Sequence, residues 1–288
     1  MNCKIIQASD FALHVLKNKR NGEIHSVYRK TINIRMDGVL LALQACQSPV
    51  SPISLITELT EDSMKGLNLQ EGVTVTIADS SVILGSHVFS FHTSEIIQTE
   101  LKETLSLSCI QLLKEHLKAV ILSSHTGGFD TIFHASQGKD SPLPSLILEG
   151  SRNYLSQAYC SILDKDYTSS SNSLCRLIGL GTGLTPSGDD FLCGLLAGLI
   201  LTGKETSSFA LLLKEEIRTH LSNTNDISQA FLRCALDGRF SLPVLRLANI
   251  PDVASIHSSF QQIGHSSGID TLCGILFALF FYDKESQR

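Results

Sequence analysis

The hydrophobic pattern of this 288-residue chain changes its period near residue 95. Before that point apolar and polar residues alternate, most clearly over residues 28–36, and Asp37-Gly38 separates this run from residues 39–43. Alternation indicates strands with one buried face, and an Asp-Gly pair between two such runs indicates a tight hairpin turn. The first lobe is therefore predicted to be an antiparallel β structure, either a small sheet or a barrel.

Shorter segments complete the prediction for this lobe. Residues 51–65 carry no clear period and are predicted as a short helix or a loop. Alternating runs that predict further strands follow at residues 72–77, 82–84 and 88–91.

From residue 94 onward, apolar residues recur at intervals of three and four, as at Ile97, Leu101 and Leu105. This spacing is typical of amphipathic helices. The fold class predicted is α+β, with a β-rich lobe at 1–94 and a larger, mainly α-helical lobe at 95–288. Breaks are predicted at 125–145, which is rich in glycine and proline, and at the serine-rich stretch 166–173. Helices are predicted at 145–165, 188–202, 206–221, 227–236, 252–263 and 269–282.

Composition excludes several classes of protein. Apolar residues make up 43% and charged residues 18%, which argues against a disordered chain. The formal net charge of −5 and the lack of a large basic cluster argue against a nucleic-acid partner. No apolar run reaches the ~20 residues that a bilayer demands, and residues 1–20 do not resemble an export signal. Eight cysteines without a Cys-x-x-Cys motif fit reduced thiols, so a cytoplasmic location is expected.

The most informative motif occurs twice, at a spacing of 80 residues. Residues 187–196 (SGDDFLCGLL) and 267–276 (SGIDTLCGIL) are identical at seven of ten positions. In each copy a serine precedes an aspartate by three residues and an apolar run follows, which is the pattern of a helix-capping box. Ser187 with Asp190, and Ser267 with Asp270, are thus predicted either to cap helices or to act directly in chemistry. Asp189 has Ile269 as its counterpart, so capping does not require it, and a functional role is favoured.

A glycine-rich segment, residues 179–186 (GLGTGLTP), leads into the first copy. Glycines allow close backbone approach, so N–H groups of this loop and of the helix start could cradle an anion, although a tight turn is the simpler alternative. A bare phosphate would meet repulsion from Asp189 and Asp190, on the order of 1 to 4 kcal/mol for one like-charge pair at about 4 Å. Either a divalent cation bridges acids and ligand, or the acids accept hydrogen bonds from an amide or carbamoyl group.

The second copy is preceded by His265, which can shuttle a proton, bind a metal or simply stabilise a turn. The glycines inside both helices, Gly194 and Gly274, are predicted to allow close helix packing, and Cys193 and Cys273 are predicted to be buried and unreactive. The candidate catalytic residues are Asp189, His265, Asp190 and Asp270. The candidate substrate-binding residues are Gly181, Gly183, Thr185, Ser187, Gly188, Ser266, Ser267 and Gly268.

Residues 177–192 (LIGLGTGLTPSGDDFL) and 263–272 (IGHSSGIDTL) resemble the two signature blocks of the AllH-like family, which has long been catalogued as a domain of unknown function. The resemblance is close over these blocks and diffuse in the early strands. It implies a subunit of oxamate carbamoyltransferase, which converts oxalurate and phosphate to oxamate and carbamoyl phosphate in anaerobic allantoin breakdown, together with other subunits.

Two alternatives remain open at this stage. In one, Asp189, Asp190 and Asp270, with His265, gather Mg²⁺ for hydrolysis or group transfer on a small amide or phosphate substrate. In the other, the chain is a non-catalytic scaffold subunit whose repeated motifs only cap tightly packed helices. The hypothesis of carbamoyl transfer requires that the two motifs, which are distant in sequence, lie next to each other in the folded chain.

Overall fold

The computed structural model describes residues 2–133 and 145–285. The chain divides into two compact units, Met1–Thr99 and Glu100–Arg288. The prediction of an N-terminal β structure followed by a mainly helical region is confirmed.

The first unit is a barrel. Its strands occur in the order β5-β4-β3-β2-β6-β7-β8-β1, and an additional pairing of β1 with β5 closes the ring. β9 pairs in parallel with the second half of β1, beyond the part of β1 that pairs with β8. Two short helices, α1 (Asp10–Asn18) and α2 (Glu61–Lys65), accompany the barrel. The strands are β1 (Asn2–Ser9), β2 (Asn21–Val27), β3 (Thr31–Met36), β4 (Val39–Gln44), β5 (Ser54–Thr57), β6 (Thr74–Ala78), β7 (Ser81–Leu84), β8 (His87–Ser90) and β9 (Glu95–Ile97).

The predicted hairpin is confirmed. β3 and β4 pair antiparallel with Met36 opposite Val39. The two turn residues between them, Asp37 and Gly38, both have positive φ angles, of 46° and 83°. This conformation matches the right-handed twist of paired strands, and Asp-Gly adopts it readily.

Some predictions for this half of the chain were wrong. The helical spacing of apolar residues predicts helix from residue 94 onward, but Glu95–Ile97 forms strand β9. The first long helix begins only at Leu107, after the N-cap Ser106. β1, β2 and β5 were not predicted. Two of these strands pair with partners distant in the chain, β1 with β8 and with β5, so no local turn marks them.

The second unit is helical, and α5, α7, α8, α9, α11 and α12 agree with predicted helices. The serine-rich stretch 166–173, predicted as a break, instead forms α6 with Asp166 as N-cap, because Ser170 and Ser171 are buried and face the interior. The predicted loop at 125–145 contains α4, and residues 134–144 lie outside the described part. The helices are α3 (Leu107–Ser123), α4 (Asp130–Phe133), α5 (Ser145–Leu163), α6 (Tyr167–Cys175), α7 (Ser187–Leu201), α8 (Ser208–His220), α9 (Asp226–Leu236), α10 (Leu242–Arg246), α11 (Val253–Gln261) and α12 (Ser267–Glu285).

α7 forms the centre of this unit. Thirteen of its fifteen residues are buried, including three of the four in its first turn, Ser187, Gly188 and Asp189. A helix that is apolar on all sides belongs in a core, where neighbours cover every face. None of the helices described combines the length and the apolar character needed to span a bilayer.

Candidate functional site

The two motif copies meet because α7 and α12 pack side by side in the same direction. A Cβ atom on Gly194 would overlap the carbonyl oxygen of Thr271, and one on Gly274 would overlap that of Phe191. Further along, Gly198 packs against Ala278, so the contacts advance together toward both C-termini. The predicted role of these glycines in close helix packing is confirmed. Parallel packing brings both N-termini to one end of the pair.

We refer to the first turns of α7 and α12, beginning at Ser187 and Ser267, as the helix tips. The Oγ1 atom of Thr185, just before one tip, lies 2.7 Å from the Oγ atom of Ser267 at the other. Segments separated by 82 residues in sequence are therefore hydrogen-bonded to each other. The helix tips form one local structure.

The predicted capping boxes were wrong. The N-cap of α7 is Pro186, which makes no side-chain cap, and the N–H of Asp190 donates to the Pro186 carbonyl oxygen. In α12 the N–H of Asp270 donates in the same way to the Ser266 carbonyl oxygen, at 2.9 Å. Each helix thus starts one residue too early for the motif serine to serve as its cap.

The serine hydroxyls act across the helix pair instead. Ser187 of α7 hydrogen-bonds to the carboxyl group of Asp270 and lowers its pKa. Ser267 of α12, together with Thr185, does the same for Asp190. Each motif serine therefore supports the aspartate of the other copy, an arrangement with approximate twofold symmetry.

Asp270 is fully buried, and burial raises its pKa to about 7. Its Oδ1 atom accepts a hydrogen bond of 2.6 Å from the backbone N–H of Phe129, which opposes this rise. Its Oδ2 atom is buried and has no hydrogen-bond partner among the described residues. A buried polar atom without a partner costs about 1–3 kcal/mol, so this oxygen has an acceptor position that a water molecule or a ligand can fill.

Asp190 is in a comparable position at the other tip. Burial raises its pKa well above the ordinary range, and the neighbouring charge of Asp270 raises it further. Its Oδ2 atom also has no hydrogen-bond partner in the described part of the chain. We call Asp190 and Asp270 the acid pair.

Asp189 has a different environment, since both of its carboxyl oxygens are occupied. Oδ1 accepts from the backbone N–H of Gly179 at 2.8 Å, and Oδ2 accepts from the Thr224 hydroxyl. Burial raises the pKa of Asp189, and these hydrogen bonds oppose the rise. The carboxylate fastens the glycine loop and the segment before α9 to α7, so its contacts are those of a positioning residue.

The electrostatics of the helix tips are unbalanced. Within the described ranges, no lysine, arginine or histidine nitrogen lies within 4.0 Å of a carboxyl oxygen of the acid pair. Each helix N-terminus carries a partial positive charge of about +0.5, which attracts anionic groups. Burial raises the pKa of the acids at the tips and so weakens their opposing negative charge.

Glycines around the tips have two different roles. Gly181 and Gly183 adopt positive φ angles of 138° and 99°, and no atom would crowd a Cβ on the exposed Gly183. Gly188 and Gly268 are buried, and a Cβ on either would overlap the carbonyl oxygen of Leu177 or Phe260. Of the four glycines predicted to bind substrate, Gly183 is exposed with open space around it, whereas Gly181, Gly188 and Gly268 allow close backbone packing.

The remaining predicted residues lie around the same tips. His265 is exposed, immediately before α12, and Ser266 hydrogen-bonds to Asp270 through its side chain and lowers the pKa of that carboxyl group. In the described part of the chain, no three or more His, Cys, Asp or Glu side chains are grouped so that they could hold a metal ion. Burial raises the pKa of Cys193 and Cys273, in line with unreactive thiols.

Comparison with protein families bears directly on these tips. The model described as oxamate carbamoyltransferase subunit AllH matches residues 177–279, which contain both motif copies. The model described as the AllH family N-terminal domain matches residues 4–98. The chain belongs to the AllH family. The resemblance found in the motifs is thereby confirmed, and no solved structure matches the chain.

The AllH family match begins at Leu177 and therefore leaves out one segment that contacts the acid pair. Residues 126–130 (TGGFD) bring the Phe129 N–H to Asp270, and a Cβ on Gly128 would overlap the Asp270 carboxyl group. The charge of Asp130, which accepts two hydrogen bonds from Thr126, raises the pKa of Asp270. The sequence predicts only a loop over residues 125–145. The Gly-Gly-Phe-Asp order at 127–130 is the one local pattern that distinguishes this segment from an ordinary loop.

Proposed function

We propose that this AllH family chain carries out carbamoyl transfer at the helix tips, as a subunit of oxamate carbamoyltransferase. An oxygen of hydrogenphosphate attacks the carbamoyl carbon of oxalurate, and the bond from that carbon to the oxamate nitrogen breaks. The proton of hydrogenphosphate ends on the departing nitrogen, which gives oxamate and carbamoyl phosphate. The family description, which names a subunit of oxamate carbamoyltransferase, supports a reaction of this kind, and the geometry of the tips supports the location.

One observation carries this proposal. Two parallel helices place their N-termini together around two carboxyl groups, each with a buried oxygen that has no partner. Helix N-termini stabilise anions such as phosphate, and they also stabilise negative charge that develops on a carbonyl oxygen under attack. Both the substrate and the transition state of this reaction carry such charge.

The raised pKa values of the acid pair weaken the main electrostatic objection to a phosphate at this place. Charged aspartates would repel it, but burial raises the pKa of both carboxyl groups and so favours their protonated, neutral forms. A carboxyl pair with one shared proton can also accept the proton of hydrogenphosphate and deliver one to the departing nitrogen.

The other candidate residues have supporting roles in this proposal. Asp189 positions the glycine loop, where the exposed Gly183 lets an anion approach the backbone. His265, exposed next to the tips, exchanges protons with solvent. The partners are the small-molecule substrates and the other subunits, and the setting is cytoplasmic allantoin breakdown under anaerobic conditions.

The test is reconstitution of the enzyme from this chain and its partner subunits. Carbamoyl phosphate formation from oxalurate and phosphate is measured for the wild type, Asp190→Asn and Asp270→Asn. Loss of a proton-transfer group lowers kcat by about 100-fold or more. Asp252→Asn, which removes a helix-capping carboxylate elsewhere in this unit, serves as the matched control.

Two results would change the assignment. Full turnover in the double variant Asp190→Asn/Asp270→Asn would make this chain a scaffold and locate the chemistry on another subunit. Calorimetric titration with Mg²⁺ examines the metal alternative, since binding heat that disappears in Asp190→Asn would place a cation at the tips.

A further inference from the structure

The two carboxyl groups of the acid pair accept different sets of hydrogen bonds. They belong to equivalent positions of two similar motifs, yet their surroundings differ. The Asp190 carboxyl group receives only hydroxyl hydrogen bonds, from Ser267 and Thr185, whereas Asp270 also receives the backbone N–H of Phe129 at Oδ1. A backbone N–H favours the ionised form of the group that accepts it.

The hydrogen-bond geometry therefore distinguishes the two carboxyl groups. Burial raises the pKa of both, and the Phe129 N–H opposes this rise at Asp270. Among the described residues, the titratable groups that face the acid pair are Asp189, Asp130 and the thiols of Cys193 and Cys273. Because the backbone N–H favours the ionised form of Asp270, Asp270 is the better acceptor and Asp190, which lacks this donor, is the better O–H donor.

A donor beside an acceptor is the complement of a primary amide edge, which presents one carbonyl oxygen and one N–H. We propose that the acid pair recognises the carbamoyl group itself, with Asp190 donating to its carbonyl oxygen and Asp270 accepting from its NH₂. This inference rests on the proposed function and names the two residues that determine its substrate class. Acyl groups of similar shape that lack N–H donors are rejected.

The recognition also prepares the chemistry. A hydrogen bond to the carbonyl oxygen strengthens as negative charge builds on that oxygen during attack. The partial positive charges of the two helix N-termini act on the same oxygen and on the incoming phosphate. Asp190, which donates a hydrogen bond to the carbamoyl oxygen, is thus also placed to stabilise the transition state.

Carbamoyl phosphate and acetyl phosphate are the probes that test this inference. They differ in that a methyl group replaces NH₂, and without oxamate neither has an acceptor in this reaction. Calorimetry on the reconstituted enzyme is expected to give about tenfold tighter binding of carbamoyl phosphate than of acetyl phosphate, which corresponds to about 1.4 kcal/mol.

Two isosteric variants separate the donor from the acceptor. In Asp270→Asn the Phe129 N–H selects the amide oxygen at the Oδ1 position, so the NH₂ group replaces Oδ2 and faces the ligand NH₂. The tenfold preference is expected to vanish while acetyl phosphate still binds. In Asp190→Asn the new NH₂ still donates, so the preference is expected to persist although kcat falls.

Equal affinities of the wild-type enzyme for the two probes would overturn the inference. Turnover of oxalurate in the same preparation would still support the proposed function, whereas an enzyme with neither turnover nor binding would remove both. Equal losses of preference in the two variants would overturn the assignment of donor and acceptor. The ¹³C-carbonyl infrared band of carbamoyl phosphate on the wild type needs no variant, and a band that does not shift to lower frequency on binding would count against the donor.

Discussion

The two helix tips begin from nearly the same sequence and yet hold their aspartates in different environments. Both carboxyl groups have a buried oxygen, but Asp270 accepts a hydrogen bond from the Phe129 backbone, whereas Asp190 accepts only from hydroxyl groups. The second carboxylate of the first copy, Asp189, is a tie to Gly179 and Thr224 that Ile269 cannot reproduce. The repeated motif gives the helix pair its approximate symmetry, and the neighbouring segments remove it. Under the proposed function, this asymmetry gives the two carboxyl groups distinct chemical roles.

The largest expected effect concerns the helix crossing that both copies share. Gly194→Val places a side chain where the Thr271 carbonyl oxygen lies, and Gly274→Val does the same at Phe191. Each is expected to lower the free energy of unfolding by about 3 kcal/mol or more, as overpacking at a rigid backbone contact does. Urea denaturation measures this. Gly264→Ala, whose Cβ finds ordinary contact distances, is the control and is expected to change little. Unequal losses of stability in Gly194→Val and Gly274→Val would show that the two helices do not contribute equally to the crossing.

The second largest expected effect concerns the catalytic roles of the aspartates in the two motif copies. Asp190→Asn is expected to lower kcat by about 100-fold with little change in KM for oxalurate, because the amide still donates a hydrogen bond but cannot transfer a proton. Asp270→Asn is expected to lower kcat and to raise KM together. Steady-state kinetics of the reconstituted enzyme distinguish the two patterns. Identical patterns would mean that the acid pair acts symmetrically after all.

Stability as a function of pH tests the environment of Asp270. Its folded-state pKa of about 7 exceeds the unfolded value of about 3.9, so the folded chain binds the proton more tightly. The resulting stability is complete below about pH 4 and is lost as pH rises through 7. Between pH 5 and pH 8 the wild type is expected to lose about 3 kcal/mol of stability relative to Asp270→Asn, measured by chemical denaturation. A constant difference across that range would show that Asp270 ionises normally.

The smallest effect tests the crossed hydroxyl contacts. Ser187→Ala and Ser267→Ala are each expected to cost about 1 kcal/mol of stability, because a hydroxyl donor to a buried carboxyl group is lost. Ser187→Ala is also expected to raise the pKa of Asp270, whereas Ser267→Ala acts on Asp190. Comparison of the pH dependence of unfolding measures the difference. The opposite result, with each serine acting on the aspartate of its own helix, would restore the capping-box interpretation.

Local signals explain which parts of the fold were predictable. The β3–β4 hairpin follows from Asp37-Gly38, because turn chemistry and alternation agree within a few residues. α6 was missed because its serines resemble a loop until their burial is known. The barrel closure depends on β1 pairing with β5, which is about 50 residues away, and no local pattern specifies that contact.

The candidate site divides in the same way. The repeated motif indicated both aspartates and the close-packing glycines. The capping-box pattern of the motif was misleading, because Pro186 and Ser266 precede the first helical residue and the motif serines lie inside the helices. Phe129 lies 141 residues from Asp270, and its contact with that carboxyl group arises only from packing.

The sequence by itself determined that two similar amide-rich helix starts exist, that their helices can approach closely, and that each carries an aspartate. These properties are local, since they depend on residue type and spacing along one segment. Only the tertiary structure decided that the two starts share one end of a parallel pair, that each serine hydrogen-bonds to the opposite aspartate, and that burial raises the pKa of both carboxyl groups. Those outcomes depend on burial and on backbone donors brought from distant segments, and the pKa of a carboxyl group responds to its surroundings in space, whatever its place in the chain.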